Sequence, residues 1–132
     1  MSPPDDASID NATCLFRRVP PQQVTRDRNR GTLRPMSGHF LGTEMSVVLG
    51  DQLEAAGRSP ESAVGRHTDD FLVCGTAQCV RDEEQGVVHT EKDDEAAHGD
   101  VVGNKPKPRA RRFANGARWV IEPPTDFEPF GG

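Results

Sequence analysis

At 132 residues and 14.4 kDa the chain has the size of one domain with one thin hydrophobic core. Apolar residues and the 13 glycines together make about 43% of it, just under the usual 45–50% of globular domains, so sizeable irregular segments are expected. A formal charge of -5 argues against whole-surface attraction to nucleic acid or anionic lipid, and no apolar run is long enough to cross a membrane as a helix. The first residues lack the basic and apolar regions of a secretory signal, which points to a cytoplasmic protein.

In chain order, residues 1–11 are polar and without periodicity and are expected as a disordered lead-in. Residues 13–19 read as a first strand, stopped by Pro20-Pro21, where a missing amide ends ladder pairing. Residues 22–34 are polar and rich in arginine and read as a long loop. Residues 45–49 make a β-branched strand, and Gln52 to Ala56 give a helical turn or two before Gly57.

Ser59-Pro60-Glu61 is a helix start, and Phe71-Leu72-Val73-Cys74-Gly75 is the clearest buried strand. Thr76 is placed to cap a short helix reaching about Glu84. Residues 86–90 and 98–103 read as strands on either side of an acidic loop, Glu91 to Glu95. Apolar residues at helical spacing with arginines between them predict a helix within 108–118, before a last strand at Trp119-Val120-Ile121.

Short helices interspersed with short strands imply a small single-domain α+β protein. A mixed or antiparallel sheet of about five short strands would carry it, over residues 12–122, with a loosely ordered tail at 123–132. Glycine-bearing connections near Gly75 and Gly103 leave room for one parallel crossover. Phe16, Val47, Leu72, Val73, Val101, Phe113 and Val120 are expected to be buried together.

Three cysteines do not make a disulfide framework. Cys74, Cys79, His89 and His98 have the order of a zinc site. Their spacing falls outside the compact patterns and Cys74 sits in an apolar strand, so no metal is expected. No phosphate-binding glycine loop occurs, and no cofactor is implied.

The segments Leu15-Phe16-Arg17-Arg18-Val19-Pro20, Arg34-Pro35-Met36-Ser37, Met45-Ser46-Val47, Ala97-His98 to Lys105 and Ala114 to Val120 together resemble a family of small uncharacterised bacterial proteins. The resemblance spans about residues 14–122 and implies a bacterial origin and a single domain. No activity follows from it. Glu91 to Glu95 and Gly116 are local departures from its pattern.

Two groups of residues have chemical capacity. His98 and Asp100 lie two apart, so on a strand they face the same side, where an imidazole and a carboxylate are placed for acid–base work. The plainer alternative is that His98 satisfies a backbone carbonyl. Lys105, Arg109, Arg111 and Arg112 form a basic stretch suited to a phosphate, a carboxylate or an acidic partner surface. Its plainer alternative is a helix face neutralised by Asp93, Asp94 and Glu95.

Few aromatic residues accompany these cations, which argues against nucleic acid. Arg17 or Arg18 with Ser37 or Ser46 and Glu122 also loosely resembles the Arg-Ser-Glu order of ADP-ribosyltransferases. With no complete catalytic set, the sequence favours an accessory or regulatory protein acting through a protein partner. A small enzyme on a phosphorylated or nucleotide substrate is the alternative.

Overall fold

The computed structural model describes residues 3–27 and 29–129. Six strands form one sheet: β1 (Cys14–Val19), β4 (Glu44–Leu49), β5 (Phe71–Thr76), β6 (Gly86–His89), β7 (His98–Val102) and β8 (Arg118–Ile121). Their order is β6-β7-β4-β1-β5-β8, and every neighbouring pair is antiparallel, so the parallel crossover anticipated near Gly75 and Gly103 does not occur. Among the described residues three α-helices accompany the sheet: α1 (Gly50–Ala55), α2 (Ala77–Asp82) and α3 (Lys107–Gly116). The fold is α+β, as composition and element order imply.

Alternation along the strands sends side chains to two faces, and both are covered. On the front, Leu15, Val19, Val47, Leu49, Val73 and Val101 meet Ala110 and Ala114 of α3, Ala77 and Val80 of α2, and Phe40. On the back, Phe16, Val48, Leu72 and Cys74 meet Leu53 of α1 and Ala63 of a 3₁₀ turn at Pro60–Val64. The seven residues expected in one core are therefore divided by the sheet: Phe16, Leu72 and Val120 lie behind it, and Val47, Val73, Val101 and Phe113 in front.

Local chemistry accounts for several boundaries. Thr76 Oγ1 accepts the Cys79 amide at 3.3 Å and caps α2. The Ser59 side chain makes no such cap, and Gly65, at φ 57°, closes the segment after a single 3₁₀ stretch instead of an α-helix. Small residues at Ala110 and Ala114 let α3 lie close to the sheet and to the turn Ser37–Phe40.

Two segments read as irregular are ordered. Within 22–34, β2 (Val24–Arg26) pairs with β3 (Leu33–Pro35), and Val24 is buried in the front core. The lead-in is also pinned rather than disordered. Ile9 is only 3% exposed, and Arg81 reaches Asp5, the Asp6 and Ile9 carbonyls and Asn11. The Asp6 amide donates to the Val87 carbonyl (2.8 Å), and the Val87 amide donates to Asp5 (2.9 Å), along the outer side of β6. A Cβ at Gly86 would come within 1.8 Å of the Pro4 carbonyl, so only glycine lets the segment seat there. Near the other end, Phe127 meets Phe71 edge-on at 5.4 Å between ring centres, which ties down that part of the tail.

Candidate functional site

On the front face, a cavity of about 290 Å³ lies between the sheet, α2 and α3. Its walls are mostly apolar, with Leu15, Phe40, Val47, Val80 and Phe113 among them, and Arg17 is set into them from the middle of β1. The alternation that buries Leu15 and Val19 puts Arg17 on the same face, so a cation enters an apolar layer.

The half-buried guanidinium is held by backbone oxygens. Arg17 Nε and Nη2 donate to the His39 carbonyl at 3.2 and 2.7 Å, and Nη1 donates to the Ser46 carbonyl at 2.6 Å. Three of the five guanidinium N–H groups are thereby used, which leaves two. The Phe40 ring lies 5.9 Å from its central carbon. No carboxylate pairs with Arg17 among the described residues. Burial, aided by Arg18, lowers its pKa to about 10, the sign of a positive charge short of compensation.

The same face holds a second buried cation. Lys105, 4% exposed, donates to the carbonyls of Gly42 (2.8 Å), Val101 (2.8 Å) and Gly103 (3.1 Å). Burial lowers its pKa to about 8, with Arg17 and Arg109 pushing the same way. His39, next to Arg17, donates from Nε2 to the Arg18 carbonyl at 2.6 Å, and burial with the Arg17 charge lowers its pKa to about 4.

The basic stretch is not one surface. Lys105 is inside, with all three of its protons engaged. Arg109 lies 3.7 Å from Glu84, and Arg112 pairs with Glu83. Arg111 is exposed and free of acidic partners among the described residues. The neutralising acids come from the end of α2, not from Asp93, Asp94 and Glu95. In that loop Glu95 pairs with Arg58 at 2.6 Å instead.

His98 and Asp100 share the back face of β7, as their spacing implies, and Thr90 links them. Its hydroxyl lies 2.8 Å from both His98 Nδ1 and Asp100 Oδ2, and its carbonyl lies 3.0 Å from Nδ1. Arg17, Ser37, Ser46 and Glu122 do not form an ADP-ribosyltransferase-like set. Glu122 follows β8, two strands from Arg17, and lines a separate cleft with Arg26 and Trp119. Cys74 is buried beside Arg118, with Nη2 to Sγ 3.6 Å, and burial raises its pKa.

In the sequence Arg17 enters only as one of two alternative arginines in the ADP-ribosyltransferase-like order, not as a residue of an apolar cavity. The available signal was phase: in a strand with Leu15 and Val19 on the core side, Arg17 must share that side. No helix of the described residues is long and apolar enough to cross a membrane. The domain is thus an antiparallel α+β sheet with a mostly apolar cavity into which Arg17 is set and which Asp82, Glu83 and Arg112 also line. No family model, curated protein or solved structure matches the chain.

Proposed function

We propose that the protein is a small accessory domain that works by binding, and that its ligand is a compact apolar molecule ending in one anionic group. The observation that carries this reading is a half-buried cation with no paired carboxylate among the described residues, Arg17, in the wall of a mostly apolar cavity whose other charged residues are Asp82, Glu83 and Arg112, the last two paired with each other. Its nearest polar neighbours are carbonyls, which position the guanidinium and carry out no proton chemistry. Two N–H groups remain, the number a carboxylate accepts in fork geometry. A volume of about 290 Å³ is at the low end for ligand pockets, which favours a medium-length acyl chain or a single aromatic ring over a larger body.

A docking role founded on the basic stretch has less support, because Lys105 is internal and Glu84 and Glu83 already neutralise Arg109 and Arg112. The test is calorimetric titration with decanoate and with decanol. The acid should bind the wild-type protein more tightly than the alcohol. Arg17→Met, which keeps an apolar stem and removes the charge, should weaken decanoate about tenfold or more and leave decanol unchanged. Equal affinity of the wild-type protein for acid and alcohol would overturn the reading.

A further inference from the structure

Glycine inside a strand weakens it, because it brings extra unfolded-state freedom and no side chain to pack, so a glycine held there answers to something else. Among the described residues three glycines lie in strands: Gly75 in β5, Gly86 in β6 and Gly99 in β7. Close approach explains two of them. A Cβ on Gly86 would strike the Pro4 carbonyl, and one on Gly99 would come within 2.8 Å of Leu49 Cδ2 and of the Val88 carbonyl. Gly75 is different. A Cβ there would meet no atom within 4 Å, and its φ is outside the left-handed region, so neither crowding nor backbone conformation requires glycine. The irregularity of β5 lies earlier, between Leu72 and Val73, so a bulge does not account for it either.

The open space at Gly75 is the front cavity. Gly75 stands directly opposite Leu15 in the ladder between β1 and β5, so both face the front, and both line the cavity. With no side chain at 75, the cavity floor beside Leu15 is bare backbone. Arg17 is opposite Val73, so Arg17 and Gly75 are diagonal neighbours on the same face, about 7–8 Å apart. The aromatic side chains of Phe40 and Phe113 and the sulfur-bearing ones of Met45 and Cys79 line the same space.

We propose that the ligand of the front cavity is an aromatic carboxylate whose flat ring lies on the Gly75 backbone, and that Gly75 is the residue that selects for it. This rests on the reading of Arg17 as the partner of the carboxylate. A patch of bare peptide one residue wide favours a planar body, which makes contact over its whole face, where a puckered saturated ring touches at a few hydrogens. An aromatic ring also gains from aromatic and sulfur neighbours in a way that a methylene chain does not. The distance between Arg17 and Gly75 suits one ring or two fused rings. Any side chain at position 75 would stand where the ring lies.

The test is calorimetric titration of the full chain with 2-naphthoate and with decahydro-2-naphthoate, its saturated counterpart, alongside decanoate and decanol. The aromatic acid should bind the wild-type protein about tenfold more tightly than the saturated one. Gly75→Val should raise the unfolding midpoint, since a β-branched residue enters an open strand position. The same change should weaken 2-naphthoate about tenfold or more, while decanoate, whose chain bends past the new side chain, changes by less than about threefold. Gly75→Ala, a smaller intrusion, should act in the same direction to a lesser degree. Equal affinity for the flat and the saturated acid, or 2-naphthoate binding untouched by Gly75→Val, would overturn the proposal. A lowered midpoint in Gly75→Ala would do so too, because the position would then be packed. If decanoate still outbinds decanol in that event, the reading of Arg17 stands and only the place of the ring is wrong; if it does not, both fall.

Discussion

Three arginines behind the sheet and two cations in front of it are satisfied in different ways. Behind it, Arg18, Arg58 and Arg66 each face a carboxylate, Asp70, Glu95 and Asp94. In front of it, the hydrogen bonds of Arg17 and Lys105 all go to backbone carbonyls. A carbonyl cage satisfies hydrogen bonding and leaves net charge in place. Behind the sheet, Arg18 and Arg58 are each matched by a carboxylate, and Arg66 approaches one at 4.0 Å. In front, Arg17 and Lys105 therefore keep their charge, while Arg109 and Arg112 are met by Glu84 and Glu83.

The largest expected effect tests the division itself. Leu72 is fully buried behind the sheet, away from the front cavity. Leu72→Ala should lower stability by about 2–5 kcal/mol in denaturant titrations and leave decanoate affinity unchanged in the folded fraction. A loss well under about 1 kcal/mol would mean that the back layer is not a packed core.

A second test uses the depressed Lys105 amine. Its folded pKa of about 8 lies below the ordinary 10.5, so between these values the unfolded chain binds more protons and stability from this group rises with pH. Burial raises the Cys74 thiol, which acts in the opposite direction above pH 9, so the comparison must be between two proteins that share it. Wild-type stability minus that of Lys105→Met should climb by about 1–2 kcal/mol from pH 8 to 10.5. A flat difference would mean the amine is not buried as a cation.

His39 gives a smaller effect on the acid side. With a folded pKa near 4 against an ordinary 6.5, it contributes stability above pH 6.5 that is lost as pH falls toward 4, because the unfolded chain takes up the proton first. The loss should be about 1 kcal/mol after allowance for the ring's partial exposure, and His39→Gln should abolish it in acid titrations followed by circular dichroism.

The smallest effect belongs to the back face. Arg58 holds Glu95 below the usual carboxylate range, so that pair should stabilise the protein above pH 4.5 and release as pH falls below it. A double-mutant cycle with Arg58→Gln and Glu95→Gln should give about 1 kcal/mol of coupling at neutral pH and little in acid. Coupling that persisted in acid would show that the carboxylate charge is not what joins them.

Much of the architecture was legible because it rests on local pattern. Apolar β-branched runs at 45–49 and 71–75 and the Thr76 cap each announce an element with its own residues. The hairpin at Val24 to Pro35 was hidden because its strands are three residues long and carry few apolar side chains. Their stability comes from the front core, not from their own sequence. The sorting of seven core residues into two layers depends on strand phase across the whole sheet. Of the site, the shared face of His98 and Asp100 follows from spacing alone. The Thr90 link, the carbonyl cage of Lys105 and the isolation of Arg17 depend on contacts between residues far apart in the chain.

The seating of Pro4 to Asp6 along β6 has a consequence for assembly. A terminal strand of a sheet exposes a row of unpaired amides and carbonyls to which another chain can add. Here the Asp5 and Asp6 segment occupies that row with one backbone and one side-chain hydrogen bond, and its carboxylates bring charge to the rim. Residues 3–11 thus act as a built-in edge guard. A shortened chain beginning after Ile9 would uncover both the strand and the apolar recess that Ile9 fills, and it should self-associate at concentrations where the full chain stays dispersed.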